Sequence, residues 1–129
     1  MSYKQLKVYQ DAKKLAVSIH RMTLNEWPRF EMYEEGQQIR RSAKSVAANI
    51  VEGYGRRRYK NQFILYLTYA IASLDETKCH LEILLDTGSL AQNRFSSLYP
   101  QSEDLGRRLY RFRESVIRQH HAQPSSVED

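Results

Sequence analysis

The chain has 129 residues and a net charge of +5, with 41% hydrophobic and 27% charged residues. This length fits one domain with one hydrophobic core, and a content of three prolines and five glycines excludes a disordered or collagen-like chain. A single cysteine excludes a disulfide framework and cysteine-rich zinc sites, and the sequence contains neither a secretory signal nor a membrane-spanning apolar run. We therefore expect a soluble, cytoplasmic protein with no membrane partner.

The spacing of apolar residues predicts four helices, the first from about Lys4 to Leu24. Its predicted buried stripe consists of Leu6, Tyr9, Lys13 (through its aliphatic stem), Ala16, Ile19 and Thr23, broadened by Val8 and Ala12. We expect Trp27 and Pro28 to end it, because the residue before a proline is driven out of the helical conformation.

The second predicted helix extends from about Tyr33 to Glu52. Its predicted buried seam consists of Ile39, Ala43, Val46 and Ile50. Gly53 and Gly55 are expected to stop this helix and to form a sharp corner, since glycine readily adopts the left-handed conformation that closes a helix.

The third predicted helix, from about Tyr59 to Leu85, is the most apolar, and Asp86, Thr87 and Gly88 are expected to end it. Its predicted seam has heptad spacing at Phe63, Leu67, Ala70, Leu74, Thr77, Leu81 and Leu84. The fourth, from about Gln92 to His121, has its seam at Leu105, Leu109, Phe112, Val116 and Gln119. Pro100 either kinks this helix or separates a short helix from the main one.

Four helices joined by short connections predict an all-α fold, an antiparallel up-down-up-down four-helix bundle. We expect the bundle domain to occupy residues 1–122 and residues 123–129 to form a disordered tail. The main alternative is a three-helix core with a detached fourth helix.

Four segments resemble one protein family: LKVYQ at 6–10, QIRRSA at 38–43, NIVEG at 49–53 and ASLDE at 72–76. Together they resemble the four-helix-bundle family of 23S ribosomal RNA intervening-sequence proteins. The resemblance spans roughly residues 3–90 and implies an antiparallel bundle that assembles into a homopentamer. The chain is also similar to the accessory variability protein of diversity-generating retroelements, which implies nucleic acid and a reverse transcriptase, or a ribosomal component, as partners.

Positive charge is concentrated between the second and third helices. From Arg40 to Lys60 the chain carries seven cations against one acid, Glu52, a local net charge of +6. Arginine binds phosphate through two parallel hydrogen bonds, and the adjacent Tyr54 and Tyr59 offer faces on which unpaired bases stack. The segment therefore predicts phosphate contacts at Arg40, Arg41, Lys44, Arg56, Arg57, Arg58 and Lys60.

A second cationic set lies on the fourth helix, where Arg107, Arg111 and Arg118 share one face. We predict these three as additional nucleic-acid contacts. For both sets the alternative is a solvated charged surface. The arginine triplet also makes the corner more basic than is usual in the family.

Helical geometry predicts a polar stripe on the second helix, formed by Arg41, Ser45, Asn49 and Glu52. The stripe is interpreted either as a binding or subunit-contact surface, with Arg41 paired to Glu52, or as a structural device that holds neighbouring helices in register.

No pattern indicates catalysis. His80 and Glu82 match part of a zinc-deaminase motif, but the cysteine pair that completes it is absent, and no di-iron or phosphate-loop motif occurs. We predict no catalytic residues, metal or cofactor. The expected function is a non-enzymatic, oligomeric module that binds nucleic acid, RNA in particular, or a ribonucleoprotein. The alternative is a scaffold or adaptor for a protein such as a reverse transcriptase, without direct nucleic-acid contact.

Overall fold

The computed structural model describes residues 2–26 and 34–122, the last three by their backbone alone. Within these ranges the chain forms a short 3₁₀ helix and four α-helices, with no strand. The elements are the 3₁₀ helix Tyr3–Gln5, α1 (Lys7–Asn25), α2 (Glu35–Gly55), α3 (Lys60–Asp86) and α4 (Gln92–Ala122). The predicted end of the first helix at Trp27 and Pro28, the predicted start of the second at Tyr33, and the tail 123–129 lie outside the described residues.

Neighbouring helices are antiparallel, as side-chain pairs between α2 and α3 show. The Ser42 and Thr77 hydroxyls are 2.9 Å apart, and one turn further along α2, Ser45 meets Ser73 at the same distance. Residue numbers thus rise along α2 where they fall along α3. Each helix packs against its sequence neighbours, and α4 closes the bundle against α1. The up-down-up-down bundle is confirmed, and the detached fourth helix is excluded.

The predicted seams form the core. All four predicted residues of α2 and all seven of α3 are buried. On α1 the prediction is partly wrong: Val8, Ala12, Ala16, Ile19 and Thr23 are buried as predicted, but Lys13 is exposed, Leu6 and Tyr9 are half-buried, and the prediction missed the buried Leu15 and Met22. On α4, Leu105, Leu109 and Val116 are buried, whereas Gln119 is exposed near the end of the helix.

The glycines at the end of α2 act differently from the prediction. The helix continues through Gly53 and ends at Gly55, and neither residue has a positive φ. Gly53 instead permits close packing, since a Cβ at this position would lie 3.1 Å from the Cβ of Tyr66 on α3. The left-handed conformation occurs instead just after α3, at Gly88 with φ +83°, one of the three residues predicted to end that helix.

Helix α4 passes through Pro100 as one element, so a separate short helix before it is wrong. Pro100 is exposed. The carbonyl that its missing N–H leaves without a helical partner belongs to Ser96, which is also exposed, and water can bond it there. The helix therefore tolerates the proline on its solvent side and keeps Leu98 and Leu105 in the core.

Candidate nucleic-acid interface

The link between α2 and α3 presents three consecutive arginines to solvent. Arg56, Arg57 and Arg58 are all exposed. The link is short and hydrogen-bonded: the Arg56 N–H donates to the carbonyl of Gly53, and the Tyr59 N–H donates to the carbonyl of Arg56 at 2.9 Å. A tight link fixes the backbone from which the three side chains project. We call these three residues, with Lys60, the basic corner.

Each arginine of the corner lies over a tyrosine ring. The Arg57 guanidinium carbon is 4.1 Å from the ring centre of Tyr54. Arg58 lies over Tyr59 at 5.5 Å, and Arg56 over Tyr66 at 5.1 Å. A cation over an aromatic ring is attracted by the partial negative charge of the ring face. The rings hold three flexible side chains near defined positions and leave their outer planes accessible.

One carboxylate reaches the corner, and it contacts a single arginine. Arg56 Nε donates to Glu52 Oε2 at 2.8 Å, and Arg56 Nη1 donates to Gln62 Oε1 at 2.7 Å. The hydrogen bond to Glu52 raises the pKa of Arg56 above its usual value. In the described part of the chain, Arg57 and Arg58 have no carboxylate within 4 Å. Two of the three guanidinium groups thus keep their charge uncompensated.

Tertiary structure brings further cations to the same end of the bundle. Val116 packs with Phe63 on the first turn of α3, so antiparallel packing places the exposed Arg118, near the end of α4, at this end of the bundle. The 3₁₀ helix packs against α2, which brings Lys4 and Lys7 to this end. Local sequence spacing does not indicate these two lysines, because only the α1–α2 pairing positions them.

The other predicted contacts on α2 lie elsewhere. Arg40 is half-buried and donates from Nη1 to the Thr23 hydroxyl on α1 at 2.9 Å. Arg41 and Lys44 are exposed, but both precede Arg56 by at least twelve residues. At 1.5 Å per residue they lie roughly 20 Å from the corner. The seven cations of the segment therefore do not form one patch.

The cations of α4 are divided in the same way. Arg107 is 3.6 Å from the Asp104 carboxylate, and Arg111 is exposed beside it. Both lie roughly 10 Å or more along α4 from Arg118. The neighbouring Arg108 contacts the carboxylates of Asp11 and Asp104. Of the predicted α4 contacts, only Arg118 lies at the same end of the bundle as the basic corner.

Comparison with known proteins identifies the family. The model of the 23S rRNA-intervening sequence protein family matches residues 4–111. The chain belongs to this family. It is also similar to a solved structure from Bacteroides thetaiotaomicron, a protein of unknown function from the S23 ribosomal protein family. That structure has a TM-score of 0.74 and 25% identity, over 83% of this chain and 95% of that one. No curated protein matches the chain.

In this member of the 23S rRNA-intervening sequence protein family, the polar stripe of α2 is divided between two roles. Ser45 bonds Ser73 on α3, and Asn49 Nδ2 donates to the carbonyl of Ser45 at 2.9 Å. Ser45 thus links α2 to α3, and Asn49 bonds Ser45 within α2. The predicted pair of Arg41 with Glu52 is wrong, because eleven residues separate them along the helix and Glu52 pairs with Arg56.

His80 and Glu82, the residues considered for catalysis, contact different partners and do not form a metal site together. His80 Nε2 is 3.3 Å from Glu76 Oε2, one turn earlier on α3, whereas the Glu82 carboxylate accepts from Tyr99 and raises the pKa of that phenol to about 12. The described residues contain no cluster of three or more side chains suited to hold a metal ion. Across the same ranges, no helix has the length and apolar character needed to span a membrane.

Proposed function

We propose that the basic corner of this family member binds the phosphate backbone of single-stranded nucleic acid, with RNA as the preferred ligand, and that the protein acts without catalysis. The observation that carries the proposal is the exposure of Arg57 and Arg58 over tyrosine rings, with no carboxylate within 4 Å in the described chain. Phosphate oxygens accept bidentate hydrogen bonds from such groups.

The stacked arrangement favours single strands over duplex. An arginine on a tyrosine presents a flat, cationic outer plane, and unpaired bases stack on arginine planes as well as on aromatic rings. Bases in a duplex are stacked on one another and offer few such faces. The exposed Arg118 and Lys4 lie at the same end of the bundle and extend the positive surface around the corner, so a strand of several nucleotides can follow it.

Salt-dependent binding tests this function. Fluorescence anisotropy of labelled single-stranded RNA should show affinity that falls steeply with salt, because each neutralised phosphate releases counterions. Replacing Arg56, Arg57 and Arg58 by alanine should lower the affinity by at least tenfold. The slope of log K against log salt should fall by about 2 for three lost contacts on a single strand.

A charge-matched control separates the corner from general basicity. Replacing Lys14, Arg107 and Arg111 by alanine removes the same charge from exposed positions on α1 and α4. This triple variant should retain most of the affinity and salt slope. Equal losses in both variants would mean that net charge alone attracts the RNA. No salt-dependent binding in the wild type would contradict the proposal and favour the scaffold or adaptor, with a reverse transcriptase or ribosomal protein as partner.

A further inference from the structure

The three arginines of the basic corner differ in how firmly the fold holds them. Arg57 donates from Nη1 to the carbonyl of Tyr54 at 2.9 Å, and its guanidinium carbon lies 4.1 Å from the centre of the Tyr54 ring. The backbone N–H of Arg57 donates to the same carbonyl at 3.2 Å. The side chain therefore curls back over its own turn, where a hydrogen bond and an aromatic ring fix its guanidinium.

The Tyr54 ring is in turn anchored to the core. Its centre is 6.4 Å from that of Phe63 in an edge-to-face contact, and Phe63 meets Phe112 on α4 at 6.0 Å in the same manner. Phe63 is buried, and Tyr54 packs against the small core cluster around it. Edge-to-face contacts favour particular orientations of both rings. The plane of the Arg57 guanidinium thus takes its orientation from the core of the bundle.

Arg58 is held far less firmly. In the described part of the chain, the Tyr59 ring at 5.5 Å is its one aromatic contact, and its guanidinium has no hydrogen bond. Tyr59 is itself 45% exposed. The Arg58 side chain therefore keeps its rotamer freedom and all five of its N–H donors. Such a side chain can follow a phosphate group whose position varies.

Arg56 differs from both neighbours. Glu52 and Gln62 hold its guanidinium through hydrogen bonds of 2.8 and 2.7 Å, and the Glu52 carboxylate compensates its charge. Among the three arginines, Arg57 alone combines a fixed plane with a charge that no carboxylate of the described chain compensates within 4 Å.

We propose that Arg57 is the base platform of the corner: one unpaired base of the bound strand stacks on the outer plane of its guanidinium, and purines are preferred there. This role rests on the proposed function, because the base belongs to the strand bound at the corner. A purine has a larger π-face than a pyrimidine and gains more from stacking on a fixed plane. Arg58 contacts the neighbouring phosphate, a group that every nucleotide presents alike.

Prior fixation favours Arg57 over Arg58 for this role. A side chain that moves freely in the unbound protein loses conformational entropy when a base holds it flat, whereas Arg57 already lies flat on Tyr54. The remaining N–H groups of Arg57 lie in the guanidinium plane and stay available to a phosphate beside the stacked base. The platform therefore adds base selectivity and keeps its positive charge.

Single-stranded RNAs that differ at one base test the platform. Three labelled strands of about eight nucleotides are compared by fluorescence anisotropy: all uridine, uridine with one central adenine, and uridine with one central abasic residue. All three carry the same phosphates, so salt should weaken their binding equally. The wild type should bind the adenine strand about threefold to tenfold more tightly than the uridine strand. The abasic strand should bind no more tightly than the uridine strand.

Variants that conserve charge assign the preference to one residue. Arg57→Lys keeps the positive charge and removes the plane, so the adenine and uridine strands should bind within about twofold of each other. The salt dependence should stay as in the wild type, because no charge is lost. Arg58→Lys is the matched control, since it makes the same change at the neighbouring exposed residue, and it should keep the adenine preference.

The ring beneath the platform gives a second test. Tyr54→Leu leaves the Arg57 charge in place but removes the ring on which the guanidinium lies, so the adenine preference should fall by about half or more. Tyr54→Phe keeps the ring and should keep the preference. Because Tyr54 packs against Phe63, circular dichroism and thermal unfolding must show that both variants keep the bundle. The comparison of Arg57→Lys with Arg58→Lys stays decisive if Tyr54→Leu does not fold.

The failure of the base platform is distinguishable from that of the proposed function. Salt-dependent binding of the wild type with equal affinity for all three strands, or with a preference for uridine, would overturn the platform and leave phosphate binding intact. An adenine preference that survives in Arg57→Lys, or that Arg58→Lys abolishes equally, would overturn the assignment to Arg57. A wild type without salt-dependent binding to any strand would overturn both the platform and the proposed function.

Discussion

The Arg108 guanidinium on α4 donates to the carboxylate of Asp11 on α1, a residue 97 positions earlier in the chain. Arg108 Nε also donates to Asp104 Oδ2 at 3.0 Å, so one cation joins two helices. The α1–α4 interface is the smallest between neighbouring helices of the bundle. The Asp11–Arg108 pair therefore stabilises the interface of the bundle at which apolar packing is least extensive.

This pair predicts acid sensitivity. Burial alone would raise the pKa of Asp11, but the hydrogen bond and charge of Arg108, with Lys7, lower it below its usual value of 3.8. Because the folded protein holds the proton less tightly than the unfolded chain, the pair stabilises the fold above about pH 4 and loses this effect as pH falls further. Asp11→Asn should cost about 1–2 kcal/mol at pH 7 and progressively less below pH 4 in urea titrations.

Asp75 provides the control for this measurement. Its carboxylate is 67% exposed and lies 3.7 Å from Lys78 on the same helix. Exposed pairs within a helix contribute little, so Asp75→Asn should change stability by less than about 0.5 kcal/mol at any pH. An Asp11→Asn variant with the same pH profile as the wild type would exclude the electrostatic role of Asp11.

The close approach of α2 and α3 at Gly53, which has no counterpart at Gly106, predicts opposite effects on stability when each glycine is replaced by alanine. Gly53→Ala would put a Cβ 3.1 Å from the Tyr66 Cβ and 3.4 Å from the Phe63 carbonyl, atoms that cannot move without the backbone. We expect it to destabilise the protein by about 1–3 kcal/mol. Gly106→Ala on α4 meets only the Leu74 side chain at 3.5 Å and should stabilise by about 0.5–1 kcal/mol. Urea unfolding of both variants measures the difference, and equal effects would refute the packing role of Gly53.

The buried hydroxyl pair between α2 and α3 predicts coupling. The Ser42 and Thr77 hydroxyls are hydrogen-bonded to each other. Each also lies within hydrogen-bond distance of a backbone carbonyl of its own helix, that of Ile39 for Ser42 and that of Ser73 for Thr77. Ser42→Ala or Thr77→Val should each cost about 1 kcal/mol, because one hydroxyl loses a partner. The double variant should cost clearly less than the sum, which a double-mutant cycle by thermal unfolding measures. Strict additivity would show that the two hydroxyls do not interact energetically.

The Glu52–Arg56 pair predicts how RNA binding at the basic corner changes when the Glu52 carboxylate is removed. Glu52→Gln removes the carboxylate that faces Arg56, while Gln62 continues to hold the guanidinium. RNA affinity should rise by about twofold to fivefold at low salt, since one repulsive charge near the phosphates is removed. Asp86→Asn makes the same charge change at the far end of α3 and should leave the affinity nearly unchanged. A fall in affinity for Glu52→Gln would show that the pair positions Arg56 for binding.

Much of the fold could be predicted because a helix seam is a local property. The spacing of Ile39, Ala43, Val46 and Ile50 identifies one face of α2 whatever lies opposite it, and the same holds for the seven positions of α3. The Lys13 error has the same origin. Spacing alone allowed two neighbouring stripes on α1, and only the positions of α2 and α4 select the stripe that includes Leu15 and Met22.

The candidate site was predictable only in part. Consecutive arginines at a helix link indicate a cationic corner, and the structure places Arg56, Arg57 and Arg58 together at an exposed position. Sequence could not show that Arg40 bonds Thr23 on α1 or that Arg108 is held by Asp11, because those partners are distant in the chain. Glycine posed a similar problem: Gly53 reads as a helix stop, but its role depends on the approach of Tyr66.

The sequence by itself determined four amphipathic or apolar helices, their antiparallel order and the charge at the link after Gly55, since periodicity, chain connectivity and composition are properties of neighbouring residues. Tertiary structure alone decided which cations remain exposed with uncompensated charge and which polar side chains join helices. These outcomes depend on distances between residues far apart in sequence, which only packing sets.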